Sequence, residues 1–327
     1  MKNFLAVSLL SLALVGCSPM TAKEVYNESV DGVVLIQNRI DASNGGTGTG
    51  FILEDNMIIT NHHVIDGTGK LFVFSNKSGK EYAAQVVYAD PISDIAIIRL
   101  QDWEMFEANE KPVNLMLGDS NILTPGDKVI VIGHPWGLTW TVSEGILSGK
   151  HRRAGANPKF MNQIDANLFQ GNSGGPIFNE NGKIVCVSNM MLAMEGGSYG
   201  FCVPSNLVKK IIYDFNNIGE VRWRVLNVSA GLTDDGQSVI IQELETDGAA
   251  AKSGIEQGDI IIGIVSDSNS AAIKKVSTPN DLITTLALMN GDDEEITLLI
   301  DRKGEKKMIT VKTNYRKSDE YTPDAGK

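Results

Sequence analysis

Cysteine is scarce in this 327-residue chain, with three in all, so no disulfide framework can carry the fold. Basic residues are outnumbered, 29 Lys and Arg against 40 Asp and Glu, which leaves a formal charge of −11. A nucleic-acid partner is thereby excluded, because phosphate binding needs a dense basic face. The one basic cluster, Lys150-His151-Arg152-Arg153, reads as a solvated loop. After residue 16 no apolar run approaches the roughly 20 residues of a membrane-spanning helix. Metal-ligand spacing is missing as well: His62 and His63 are adjacent, point apart on extended chain, and no acidic motif follows. No metal and no cofactor is therefore expected. Gly45-Gly46-Thr47-Gly48-Thr49-Gly50 does not make a dinucleotide site, since no helical pattern follows it.

What is present begins with Lys2 and an apolar run from Phe4 to Val15, the pattern of a secretory signal. Its end, Leu14-Val15-Gly16-Cys17, resembles a bacterial lipobox. The resemblance implies removal of residues 1–16 and lipidation of Cys17, with Ser18 implying sorting to the outer membrane of a Gram-negative cell. Plain secretion with an unmodified Cys17 is the alternative. Cys186 and Cys202 either form a bridge or stay as two buried thiols, because moving the strand pairing by one residue puts them on opposite faces.

Residues 17–30 read as a polar tether. From Val33 to Ile98, and again from Lys128 to Val203, short apolar or β-branched runs alternate with Gly, Asn and Asp turns. That spacing describes an all-β sandwich or barrel, and two such series describe two barrels. After Pro204, Ser205 reads as the cap of a helix whose Leu207, Val208, Ile211, Ile212 and Phe215 share one face, with Gly219 as its stop. Beyond Glu220 the pattern changes to a smaller α+β unit, with a helix from Thr278 to Met289 and two strands joined by Arg302-Lys303-Gly304-Glu305. The expected organisation is a mainly β domain over 31–218, an α+β domain over 220–313 and a frayed tail over 314–327.

Three segments could carry chemistry. Gly171-Asn172-Ser173-Gly174-Gly175-Pro176 can expose a serine hydroxyl on a tight turn with backbone N–H groups converging beside it, or be a plain glycine-rich turn. His62-His63 follows a strand, where an imidazole can serve as general base. Asp94 stands where a turn enters the apolar strand Ile95-Ala96-Ile97-Ile98, and a carboxylate there needs a partner such as a histidine N–H.

Taken together, the stretches TNHHVI, DPISDIAIIRL, VIGHPWGLTWTVSEGILSG, DANLFQGNSGGP and GFCVPS resemble the chymotrypsin-like serine proteases, and more closely the HtrA/Deg family. The resemblance implies His63 as base, chosen over His62 because it precedes the valine, Asp94 as its orienting acid, and Ser173 as nucleophile. It implies oxyanion donors at the N–H groups of Gly171 and Ser173, and a movable loop over Asn167–Gln170. Neither His134 nor His151 is implied in chemistry. An extended substrate would pair with Val187-Ser188-Asn189, with Leu168, Val187 and Cys202 near the pocket for the residue before the scissile bond. No acid is placed to receive Lys or Arg, so a small or medium apolar residue is expected there.

The C-terminal unit resembles a PDZ domain through AAAKSGIEQGDIII and the helix Thr278–Met289. A C-terminal peptide is the implied ligand, although Trp223-Arg224-Val225-Leu226 lacks the family's glycine at Val225. The resemblance further implies unfolded envelope proteins as substrates and a homotrimer. Two other roles share these residues: a chaperone-like scaffold with an inactive protease domain, and a signalling protease dedicated to one membrane partner.

Overall fold

Short strands built on Val, Ile and Phe close into two barrels because each strand buries one face inside its own barrel and hydrogen-bonds on both edges. The computed structural model describes residues 18–41, 45–67, 69–152, 161–194, 197–265 and 273–317. Cys17, the leader 1–16 and residues 318–327 lie outside them. The first barrel comprises β1 (Val33–Arg39), β2 (Gly45–Leu53), β3 (Met57–Asn61), β4 (Lys70–Phe74), β5 (Glu81–Asp90) and β6 (Ile95–Leu100), closed in the order β1-β2-β3-β6-β5-β4. The second comprises β7 (Lys128–Gly133), β8 (Thr141–Arg152), β9 (Met161–Ile164), β10 (Pro176–Phe178), β11 (Ile184–Met194) and β12 (Gly197–Pro204), closed in the order β10-β11-β12-β9-β8-β7. All ladders within them are antiparallel. The fold is thus mainly β, a chymotrypsin-like double barrel.

The expected tether is a helix instead. α1 (Ala22–Ser29) is started by a reciprocal capping box between Thr21 and Glu24 and is docked by buried Val25, which joins the core between the barrels. α2 (His62–Ile65) directly follows β3, and α3 (Trp103–Glu110) follows β6. α4 (Ser205–Ile218) packs Leu207, Val208 and Ile211 into the same inter-barrel core and stops at Gly219 in a left-handed conformation. Ser205 is its first helical residue and not its cap; its hydroxyl donates to the Gly118 carbonyl at 3.0 Å. Lys150, His151 and Arg152 are the end of β8, not a loop. Lys150 donates to the Asn121 and Leu123 carbonyls, and His151 pairs with Asp281 at 3.0 Å.

Past α4 the chain forms β13 (Arg222–Val225), β14 (Val228–Leu232), β15 (Val239–Leu244), α5 (Ala249–Lys252), β16 (Ile260–Val265), β17 (Ile273–Lys275), α6 (Pro279–Ala287), β18 (Glu295–Arg302), β19 (Glu305–Lys312) and β20 (Asn314–Lys317). The sheet runs β14-β15-β16-β18-β19 over its own core of Ile241, Ile261, Leu286, Leu298 and Val311. Residues 314–317, expected to fray, instead pair with β13. Nor is the second unit merely tethered: Trp223 and Ala287 belong to the core that joins the barrels.

Candidate active site

A cleft of about 630 Å³ opens between the barrels, lined by His62, His63, Asp94, Leu168, Phe169, Ser173, Ser188, Asn189, Met190 and Met191 among others. Residues more than a hundred positions apart in sequence meet there because β3 and β6 are hydrogen-bonded neighbours in one barrel, while the turn before β10 comes from the other.

The His63 end is held on both of its nitrogens nearest the backbone. Its main-chain N–H donates to Asp94 Oδ1 at 2.9 Å, and its Nδ1 meets Asp94 Oδ2 at 2.6 Å. Nε2 is left for the cleft, and Nδ1 carries the proton because the carboxylate can only accept. Asp94 has φ of 58°, the left-handed region that Asp tolerates better than branched residues. Its carbonyl accepts from His62 N–H at 3.1 Å and from Asn61 Nδ2 at 2.8 Å, which fixes that unusual backbone. Asn189 Nδ2 adds a donor to Asp94 Oδ2 at 2.7 Å from across the cleft. Asn189 was expected only to pair with substrate, and nothing in its own stretch of sequence points to this second task.

Ser173 sits in a turn that only glycine allows on either side. Gly171 has φ of 101°, and a Cβ there would stand 2.2 Å from the His134 carbonyl oxygen. Gly174 has φ of 83°, and its Cβ would lie 2.3 Å from both the Thr49 carbonyl and Thr60 Oγ1. The Ser173 hydroxyl donates to the Asn189 carbonyl at 3.0 Å, and no hydrogen bond joins it to His63.

The peptide planes of this turn follow from their partners. The Gln170 carbonyl accepts from Trp136 N–H at 2.7 Å, and the Asn172 carbonyl accepts from Gly175 N–H at 2.9 Å. In trans peptides the N–H points opposite to its C=O, so the Gly171 and Ser173 N–H groups turn the other way, and neither has a backbone acceptor among the described residues. Two such donors beside a serine hydroxyl form the arrangement that can receive a developing oxyanion.

His134 braces this turn from below. Thr49 Oγ1 donates to the Gly171 carbonyl at 2.6 Å and lies 2.9 Å from His134 Nδ1. A hydroxyl has one proton, so with it given to Gly171 the imidazole must donate from Nδ1. His134 Nε2 is then an unprotonated acceptor, buried and without a partner. Burial alone pushes the His134 pKa down to about 3. Neither Thr49 nor His134 was expected at the site; both lie far from Ser173 in sequence.

Of the expected pocket residues, Leu168 and Ser188 line the cleft, while Val187 and Cys202 do not; both are fully enclosed in core clusters. A β-bulge between Ser188 and Met190 resets the strand's alternation, and Met190 and Met191 both face the cleft. Cys186 and Cys202 are buried and unbridged, and burial pushes the Cys202 thiol up. Among the described residues no group of three or more His, Cys, Asp or Glu side chains could hold a metal, and no helix is long and apolar enough to cross a membrane.

Comparison with known proteins agrees with this geometry. The trypsin-like peptidase domain family matches residues 48–187, a stretch that holds His63, Asp94 and Ser173. A probable periplasmic serine endoprotease described as DegP-like from Brucella suis is 32% identical over 282 residues, covering 81% of this chain and 52% of its own. A DegP-like relative from Bartonella henselae is 33% identical, covering 86% and 55%, and one from Halomonas elongata is 34% identical, covering 77% and 56%. The chain therefore spans about half the length of the curated relatives it matches. Among solved structures, the HtrA-type protease AlgW with a tripeptide superposes with a TM-score of 0.71 over 94% of this chain and 100% of that one, at 23% identity. The serine endoprotease from Yersinia pestis gives 0.62 over 91% and 99%, at 24% identity. These two likenesses speak for the fold.

Proposed function

We propose that the chain, whose residues 48–187 match the trypsin-like peptidase domain family, is a serine endopeptidase of the HtrA/DegP family cleaving unfolded or damaged proteins on the periplasmic side of the cell envelope. The observation that carries this reading is the His63–Asp94 pair at 2.6 Å facing Ser173 in one cleft, beside two unengaged backbone N–H groups.

The chemistry follows from those atoms. Ser173 Oγ turns from the Asn189 carbonyl to His63 Nε2, gives up its proton there and attacks the scissile carbonyl. The Gly171 and Ser173 N–H groups take the negative charge of the tetrahedral intermediate. His63 returns the proton to the leaving amine, and Asp94 holds the imidazole tautomer and stabilises imidazolium. Water then repeats the sequence on the acyl-enzyme. Leu168, Met190 and Met191 give the cleft an apolar wall, and among the described lining residues the one carboxylate is Asp94, already engaged by His63, which supports a small or medium apolar residue before the scissile bond.

Four further parts belong to the proposal: export with lipidation at Cys17 and anchoring to the outer membrane; assembly as a homotrimer; the protease domain over 31–218; and a PDZ-like unit over 220–313. An edge strand, β14, lying beside α6 supports peptide capture by strand addition. Arg224, by contrast, is buried and donates to the Gly291 carbonyl, so that part of the expected carboxylate loop is engaged within the chain.

One observation favours a second reading, a binding or chaperone-like protein with a latent protease: the Ser173 hydroxyl rests on Asn189 and not on His63. Labelling by a fluorophosphonate, with and without unfolded protein or C-terminal peptides, separates the two. Serine-dependent labelling that disappears in Ser173→Ala is the expected result; an unlabelled wild-type chain under all those conditions would leave the binder.

A further inference from the structure

Asp90 ends β5 four residues before Asp94 and is fully buried. Its Oδ2 accepts the backbone N–H of Ser93 at 2.8 Å and also the Ser93 hydroxyl, which closes the Asp90-Pro91-Ile92-Ser93 turn immediately before Asp94. Its Oδ1 accepts from outside the barrel altogether: the indole N–H of Trp223 donates to it at 3.1 Å.

Trp223 belongs to β13, the first strand beyond α4, and is held firmly. Lys210 Nζ lies 4.6 Å from the centre of its ring and is itself paired with buried Asp214 at 2.7 Å. Asp214 also accepts the Arg222 N–H at 3.1 Å and, from the loop after α6, the Gly291 N–H at 2.7 Å. A parallel tie joins the same two segments, the Val221 N–H donating to Tyr88 Oη at 3.0 Å. The C-terminal unit is thus bonded to the strand and turn that deliver Asp94. A buried carboxylate is held by the sum of its donors, so loss of the indole N–H removes one of the contacts that fix Asp90 and, through it, the turn.

We infer that Trp223 and Asp90 are a positioning pair for Asp94, through which the C-terminal unit sets the geometry of the acid–base half of the site. This rests on the proteolytic reading above. Neither residue touches substrate; both act through the 90–94 turn.

The test is Trp223→Phe in the full-length chain, which keeps an aromatic ring and removes the N–H. The His63 Nδ1 proton held against Asp94, read by proton NMR without substrate and assigned by its loss in His63→Asn, is expected to broaden or move upfield. On a peptide substrate kcat is expected to fall about three- to tenfold with KM unchanged, the scale of one hydrogen bond. Combining Trp223→Phe with Asp90→Asn should cost little more than the worse single change, since both cut one link. An unmoved resonance, or a lowered Tm with kcat intact, or additive losses, would overturn the inference. Should Trp223→Phe not fold, Asp90→Asn alone must displace the resonance, and an unchanged resonance there overturns it equally. Because the resonance is read in the resting protein, cleavage persisting in Ser173→Ala would remove the proteolytic reading without touching this measurement.

Discussion

On the first-barrel wall of the cleft, His63 is joined to Asp94 through its backbone N–H and through Nδ1, while across the cleft the Ser173 hydroxyl donates to the Asn189 carbonyl. The first wall is fixed by backbone and side-chain donors together: Asp94 is caught between the His62 and His63 N–H groups, the Asn61 and Asn189 amides and the turn behind it. The second wall differs in what remains to be done. Its peptide planes are already set by Trp136, Thr49 and Gly175, and the proposed chemistry still asks the Ser173 hydroxyl to exchange the Asn189 carbonyl for His63 Nε2. Such an exchange trades one hydrogen bond for another, about 0.5–1.5 kcal/mol, or a factor of roughly ten at most. That is small beside the ~8 kcal/mol or more that enzymatic acceleration requires. The resting hydroxyl position therefore favours the latent reading only by a small amount of free energy, and the burden of competence falls on Asp94 and the Gly171 turn.

The sharpest way to break this contrast is to remove charge from the finished wall. Asp94→Asn keeps the shape but offers an amide, which can no longer accept on both oxygens and so favours the wrong imidazole tautomer. A loss of about 10⁴-fold in kcat is expected, measured with a peptide substrate having an apolar residue before the cleaved bond. A loss under tenfold would mean that the paired wall is not what the reaction depends on. The other wall is probed by Thr49→Val, which keeps volume and deletes the donor to the Gly171 carbonyl. An effect on kcat of about ten- to a hundredfold is expected, somewhat less than loss of an oxyanion donor itself, with KM unchanged. Thr49→Ser restores the hydroxyl and should restore most of the rate; equal defects in the two variants would point to packing in place of positioning.

The residues proposed to carry chemistry, which the structure brings to one cleft, were legible because their types are demanding: a serine between glycines, a histidine at a strand end and an Asp entering an apolar strand each ask for a partner. Both barrels were legible from β-branched runs cut by turn residues. What was missed was either tertiary or a weak local signal. The family resemblance puts Val187 near the pocket, but in the structure it is enclosed in the core, and beyond a bulge between Ser188 and Met190 that no residue type announces, Met190 and Met191 line the cleft. The PDZ resemblance puts Trp223 in the segment of the carboxylate loop, whereas its indole N–H donates to Asp90 in the first barrel. The helix at Ala22–Ser29 did carry a sign, Thr21 three residues ahead of Glu24, that the polar composition around it obscured.

The smallest effect expected concerns the histidine that does no proton transfer. His63 stands at the cleft with 47% of its side chain exposed, but His134 is fully buried under the Gly171 turn, and burial keeps it neutral down to about pH 3. In the unfolded chain an imidazole is protonated below its ordinary value of about 6.5. Between those limits the unfolded state binds the extra proton, so this residue makes stability rise with pH and fall as the pH drops from about 6.5 toward 3. The slope approaches that of one proton, ~1.4 kcal/mol per pH unit. His134→Asn offers an amide that can still donate to Thr49 Oγ1 but does not titrate. Urea unfolding followed from pH 7 to pH 4 should show a shallower loss of stability in the variant, by up to that slope. Equal slopes would mean that His134 takes a proton inside the fold. The buried Nε2 would then need an acceptor that the surroundings of the Gly171 turn do not supply, and the turn would have to open as the pH falls.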